Sequence, residues 1–199
     1  MINKEYNRMI RKGRNMNHLG TVTLETERLI IRPFRVEDAN AMFTNWAGNS
    51  EVTKYLTWPT HKSAEISENY IKSKVSTYEN KEVYDWGIEL KDLHQVIGSI
   101  SVVENKFDIG CVQIGYCIGK PWWGFGITTE AFQAVIRFFM DEVGINRIEA
   151  RHDIKNISSG KVMEHCGLTL EGVHRQSDIN NQGICDTAWY ALLRDDYHR

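Results

Sequence analysis

Two glycines, Gly124 and Gly126, stand immediately before a helical pattern in the stretch CIGKPWWGFGITTEA, residues 117–131. A helix N-terminus carries unpaired N–H groups and a partial positive charge. Glycines just ahead of it let the backbone fold close to a ligand with those N–H groups turned inward. The result is an anion site, most often for phosphate. Gly124-Phe125-Gly126-Ile127-Thr128 fits that geometry. No Gly-Lys-Ser/Thr follows, which argues against a nucleoside-triphosphate loop, and Thr129 breaks the dinucleotide pattern G-x-G-x-x-G. Taken alone, the glycine pair fits a tight β–α turn equally well.

The elements that must position this loop follow from periodicity. Thr26–Phe34 (TERLIIRPF) reads as a strand ended by Pro33. Val36–Ala47 reads as a helix, with Ala39, Met42, Phe43 and Trp46 at helical spacing and Gly48 after it. A turn-rich stretch containing Trp58-Pro59 leads to a second helix opened by Ser63, with Ala64, Ile66, Tyr70, Ile71 and Val75 as its apolar set. Three strands, Asp85–Leu90, Val96–Val103 and Gly110–Ile118, are separated by short polar gaps, which predicts antiparallel hairpins. A helix over Thr128–Val143 buries Phe132, Val135, Phe139 and Val143 and stops at Gly144. A strand over Arg147–His152, a helix capped by Asn156 or Ser158 and ended by Gly167, and strands over Leu168–Arg175 and Ile184–Leu193 complete the order. A meander combined with a β-α-β crossover gives an α/β fold of the mixed-sheet kind.

The 199 residues suffice for one domain with a sizeable core, and 42% hydrophobic with 25% charged residues is ordinary for a soluble globular chain. A formal net charge of −2 supplies no field toward nucleic acid or an anionic membrane. No apolar run approaches the ~18 residues of a membrane helix, and no apolar signal core opens the chain, so a cytoplasmic protein is expected. Cys111, Cys117, Cys166 and Cys185 form no CxxC pair and no metal-ligand spacing, so reduced thiols and no metal are expected. Lys4, Arg8, Arg11, Lys12 and Arg14 face one acid, Glu5. Residues 1–20 are therefore expected to be a flexible basic extension, and 21–199 a single domain.

GYCIGKPWWGFGITTEA, then RIEARHD, then NISSGKVMEHCGLTLEGV, closely resembles the GNAT superfamily of N-acetyltransferases, in particular its RimJ/RimL (ribosomal-protein alanine acetyltransferase) branch. TERLIIRPFRVEDA and VTKYLTWP are similar to that branch too, and the likeness spans roughly residues 22–194. The resemblance implies a mostly antiparallel sheet flanked by helices, around a β-α-β core that binds acyl-CoA. It assigns the pyrophosphate to Trp122, Trp123, Gly124, Phe125, Gly126, Ile127 and Thr128. It assigns the pantetheine arm to Cys117, Ile118 and Gly119 on a splayed strand, as an added strand would pair. A backbone N–H there polarises the thioester carbonyl. Asn156 matches a cofactor contact and Ser159 a serine placed to protonate the leaving thiolate. A thiolate of pKa ~8.5 needs little such help.

The chain departs from the pattern at three positions. Pro121 stands where the loop usually begins with Gln or Arg, and Gly160 interrupts a helix at ~1 kcal/mol relative to alanine. Gln113 replaces the usual glutamate base. Asp178 is the expected substitute, with Glu104, His152 and His174 behind it. Tyr190 reads as core. Trp46, Tyr55 and Trp58 are candidates to wall the acceptor site.

The implied activity is direct acetyl transfer from acetyl-CoA to a primary amine, without a metal, nucleic acid or membrane. A protein N-terminal α-amine and a small-molecule amine both remain open as acceptors, and a homodimer is compatible with the sequence. Two rivals are a non-catalytic acyl-CoA sensor, to which Gln113 points, and a nucleotide-phosphate enzyme.

Overall fold

The three segments expected to form hairpins pair as a meander in the computed structural model, which describes residues 16–197. Strands β1 (Leu24–Glu25), β2 (Leu29–Arg32), β3 (Asp85–Leu90), β4 (Gln95–Lys106) and β5 (Cys111–Ile118) run antiparallel, each to the next. Strands β6 (Arg147–Asp153), β7 (Thr169–Asn180) and β8 (Gly183–Leu193) complete one eight-stranded sheet of order β1-β2-β3-β4-β5-β6-β8-β7. Among the described residues, β5–β6 is the one parallel pair. It brackets the crossover helix α4 (Ile127–Arg137), whose buried Ala131, Phe132 and Val135 lie against Trp86, Ile100 and Ile148 on one sheet face.

The opposite face carries α1 (Ala39–Met42), α2 (Ser50–Thr53) and α3 (Ala64–Val75), packed through Phe34, Trp46, Ile71 and Val96. The remaining helices are α5 (Ile157–His165) and a short α6 (Arg194–Tyr197).

Several expectations shift for physical reasons. The strand expected from Thr26 starts at Leu29, because Thr26 closes a turn: its N–H donates to Leu29 O, and its hydroxyl accepts from Leu29 N–H, both at 3.0 Å. The first helix is not uniform. It is a 3-10 turn (Val36–Asp38), then α1, then a π-helical stretch (Phe43–Ala47) that buries Trp46 and Ala47 side by side. The crossover helix also ends in π geometry (Phe138–Val143), whose wider turn brings the consecutive Phe138 and Phe139 both into the core. Strand β7 runs past Arg175 to Asn180 through a bulge between His174 and Asp178, with Gln176 at φ 49°.

The basic residues expected in an N-terminal extension lie outside the described residues. The end of that segment belongs to the body: Asn17 N–H donates to Val143 O, and Met16 and Leu19 pack on the core.

Candidate active site

The parallel pairing of β5 and β6 stops after Cys111↔Arg147, Val112↔Ile148 and Gln113↔Glu149. Beyond that point β5 stays paired with β4 as far as Ile118, and β6 with β8 as far as Asp153. The sheet therefore opens along a seam. Gly119 N–H donates to Ile97 O on β4 (2.9 Å), and Cys117 O lies close against Gly98. Strand alternation then turns the backbone groups of Tyr116 and Ile118 into the gap. Of the three residues expected along the pantetheine arm, Ile118 alone turns its amide into the gap. Its carbonyl accepts from the Trp123 indole (2.9 Å).

The loop after β5 reaches the same gap. Gly124 (φ 81°) and Gly126 (φ 73°) are left-handed, a conformation that costs other residues ~1–2 kcal/mol. Gly126 is the N-cap of α4 and brings no side-chain cap, and the first helical bond is Glu130 N–H to Gly126 O (3.0 Å). The N–H groups of the first turn, at Ile127, Thr128 and Thr129, are therefore left for a ligand. These residues, with Trp122, Trp123, Gly124 and Gly126, line a groove of about 580 Å³. Its other walls come from β5 (Tyr116, Cys117, Ile118), α5 and the residues just before it (Lys155, Asn156, Ser159, Lys161), and α2 with the turn after it (Val52, Tyr55, Leu56).

Asn156 precedes α5 but makes no capping hydrogen bond with its side chain, which leaves the amide for the groove it lines. Ser159 lies opposite Tyr116. The phenol donates to Ser159 O (2.9 Å) and meets Ser159 Oγ at 3.1 Å. Burial pushes the Tyr116 phenol up, against the smaller opposing effect of the Ser159 hydroxyl. Cys117 Sγ is 3.3 Å from Ser99 Oγ, and burial pushes that thiol up to about 11, so it is a neutral thiol near pH 7 rather than a nucleophile.

Other expected residues lie elsewhere. Asp178 is not part of the groove wall: its carboxylate pairs with Arg151 Nε (3.0 Å), and Glu104 approaches the same guanidinium at 3.5 Å. His152 faces α5, and exposed His174 stacks on Trp189 at 5.3 Å. Gly160 packs closely on β6, where a Cβ would meet His152 Nε2 at 2.7 Å. Gly119 and Phe125 are also absent from the wall. A Cβ on Gly119 would strike Asn45 O at 2.3 Å, and the Phe125 ring is 65% exposed. Trp46 is core, Trp58 packs beside it, and Tyr55 alone of that trio reaches the groove. Tyr190 is core, its hydroxyl donating to Glu164 (3.1 Å).

Sequence reasoning missed Tyr116, Lys155 and Lys161. The two lysines bracket Asn156 and Ser159, and a pair of cations beside an expected phosphate loop was the available signal. A larger depression of about 900 Å³ lies around Arg32, Asp38 and Glu89. Those charges satisfy one another at 2.6–2.9 Å, and no loop or seam residue reaches it.

Residues 28–169 match the acetyltransferase (GNAT) domain, most of the chain. The chain belongs to the GNAT acetyltransferase family. It is 31% identical over 171 residues (86% of this chain, 96% of the relative) to the uncharacterized N-acetyltransferase YoaA of Bacillus subtilis. It is 26% identical over 159 residues (76% and 80%) to the [ribosomal protein uS5]-alanine N-acetyltransferase of Escherichia coli. A GNAT-family acetyltransferase from Bacillus anthracis shares the fold at TM-score 0.76 and 24% identity, covering 87% of this chain and 99% of that one. So does the microcin C7 self-immunity acetyltransferase MccE, solved with acetyl-CoA and AMP, at TM-score 0.77 and 22% identity (84% and 93%). This GNAT protein is an acetyl-CoA-dependent N-acetyltransferase, and the rival of a non-catalytic sensor is set aside. Among the described residues no group of His, Cys, Asp or Glu is arranged to hold a metal, and no helix is long and apolar enough to cross a membrane.

Proposed function

We propose that acetyl-CoA lies along the seam, with its pyrophosphate on the amides of Gly126–Thr128 and its pantetheine arm against Tyr116 and Ile118. The observation that carries this reading is the coincidence of three things in one groove: unpaired strand backbone, a left-handed glycine loop and a free helix N-terminus. Lys155 and Lys161 add positive charge beside it, and Asn156 directs an uncommitted amide into it.

The thioester supplies an acetyl group already activated toward amines. The Ile118 N–H is the donor placed to polarise its carbonyl. Ser159, whose hydroxyl lies beside Tyr116, is the group placed to hydrogen-bond the departing thiolate, which takes up through water the proton that the amine releases. An α-amine of pKa ~8 is partly neutral at pH 7, so its remaining proton can leave through water. Asp178, held by Arg151, is assigned no part.

The acceptor is read as a protein N-terminal α-amine. The likeness to the uS5-alanine enzyme supports it, and the wall that α2 and the turn after it supply, Glu51, Val52, Tyr55 and Leu56, is side-chain surface left for an acceptor. Thermal unfolding with acetyl-CoA, ATP and NAD in parallel tests the first half. Ligand at ~100 times its dissociation constant adds ~2.7 kcal/mol, a midpoint rise of roughly 5–10 °C. A rise with ATP or NAD but not acetyl-CoA would overturn the placement. Turnover of peptides beginning with alanine, against amino sugars and polyamines, tests the second half. Activity confined to the small amines would replace the peptide with a small-molecule acceptor.

A further inference from the structure

Arg28, outside the groove wall, makes a set of long-range bonds to the glycine loop. It sits in the turn between β1 and β2, roughly a hundred residues from its partners in sequence. Its amide donates to Glu130 Oε1 (3.0 Å), its Nε to Glu130 Oε2 (2.6 Å), and its Nη1 to the carbonyl of Phe125 (2.9 Å). Thr26 Oγ1 donates to the same Glu130 Oε1 at 2.6 Å. Glu130 lies in the first turn of α4, and Phe125 is the residue between the two left-handed glycines. The exposed Phe125 ring does little to hold the loop.

In a trans peptide the carbonyl of one residue and the N–H of the next point in opposite directions. Fixing the Phe125 carbonyl on Arg28, outside the groove, therefore turns the Gly126 N–H back toward the groove. The ion pair does a second thing. A bare carboxylate in the first turn of α4 would compete with a phosphate for the same partial positive charge. Hydrogen bonds from Thr26 and Arg28 outweigh the effect of burial and hold Glu130 ionised, and Arg28 neutralises its charge.

We propose that Arg28 is a positioning residue for the acyl donor. It aims the Gly126 amide at the pyrophosphate and masks Glu130, without touching the donor itself. The inference rests on the seam as the acetyl-CoA site.

The experiment is a titration of the full-length protein with CoA, followed in the amide spectrum, for the wild type, Arg28→Ala and Arg28→Lys. Gly126 reports the phosphate end, and Tyr116 and Ile118 report the pantetheine end. For the wild type, all three shift on binding. For Arg28→Ala, the dissociation constant should rise on the order of ten-fold, the scale of one lost charged hydrogen bond. At saturation the Gly126 shift should be lost while those of Tyr116 and Ile118 persist. Arg28→Lys keeps the charge and the backbone bond to Glu130 Oε1, but one ammonium cannot reproduce the fork to Phe125 O and Glu130 Oε2, so it should behave similarly while preserving the fold. An unchanged Gly126 shift and affinity in both variants would overturn the proposal, as would equal loss at both ends in Arg28→Lys. A wild type whose three amides ignore CoA would instead overturn the acetyl-CoA site on which it rests.

Discussion

At one end of the groove the surface is backbone: two left-handed glycines, the first amides of α4, and the unpaired edge of β5. Elsewhere it is side chains, Glu51, Val52, Tyr55 and Leu56, carried by α2 and the turn after it. Each end has its own tether. Arg28 and Glu130 hold the loop. Asn181, at the tip of the β7–β8 hairpin, holds the α2 wall: its side-chain amide donates to Thr53 O and Trp58 O, both at 2.8 Å, and its N–H to Leu56 O at 3.2 Å. Asn180 ties the same tip to Asp153 (2.8 Å), just before the start of α5. Backbone presents one chemistry whatever the residue, and so suits a ligand part that never changes. Side chains set the shape that distinguishes one acceptor from another.

If the two ends are this separate, substitutions should damage them separately. The largest effect is expected from replacing Gly124 and Gly126 together by alanine. Each strained residue costs ~1–2 kcal/mol, ~2–4 kcal/mol for the pair, so if the loop relaxes out of this conformation the acetyl-CoA dissociation constant should rise on the order of 30–1000-fold. Acceptor selectivity should not change, and a changed ranking of acceptors would break the comparison. Next is Gly160→Ala, where the His152 ring is held by a 2.8 Å contact between its Nδ1 and Asp153 O and stacks on Tyr190. Overpacking at ~1–3 kcal/mol exceeds the ~1 kcal/mol gain in helix propensity. The unfolding midpoint should drop by a few degrees with CoA affinity intact. A fall in CoA affinity at constant midpoint would make Gly160 part of the cofactor site.

Asn181→Ala removes two hydrogen bonds, together worth ~1–2 kcal/mol, at the acceptor end alone. The KM for the acceptor should rise several-fold while that for acetyl-CoA holds. Equal rises in both would show that the hairpin tip governs the whole groove. The smallest effect is expected at Cys117, on β5. With its thiol pushed up to about 11 by burial, alkylation near pH 7 should be slow. It should quicken as pH rises toward 11, and acetyl-CoA should suppress it. Fast labelling at pH 7 would indicate an open, wet groove.

The same division explains what the sequence made legible. Glycine at positive φ leaves a mark in composition, and so do an apolar period of 3.6 and a polar gap between strands. The loop at Gly124–Thr128, the helix behind it and the meander before it were all readable. Ser159 and Asn156 were readable through the family likeness, and both reach the groove. Asp178 follows an expected strand in the sequence. That strand continues through a bulge, which brings the carboxylate to Arg151 instead. Trp46 lies on the first of the two helices that the family likeness implies for the acceptor wall, but a π turn buries it in the core. Tyr116 escaped notice because a tyrosine in a strand looks like packing, and its bond to Ser159 joins residues 43 apart in sequence. Features of backbone geometry are written locally, whereas partners of side chains depend on register and twist.

The bulge in β7 has a further consequence, for the protein's behaviour in a crowded solution. Strand β7 is the outermost strand of its side of the sheet, and it exposes Val173 and Ile179. A long, straight, apolar border of this kind invites another chain to dock along it, and repeated docking leads to fibres. The extra residues between His174 and Asp178, with Gln176 forced to positive φ, interrupt the row of free amides and carbonyls. An incoming strand finds a short run on either side of the kink and no continuous template, so the irregularity that carries Asp178 to Arg151 also makes this edge a poor seed for polymers.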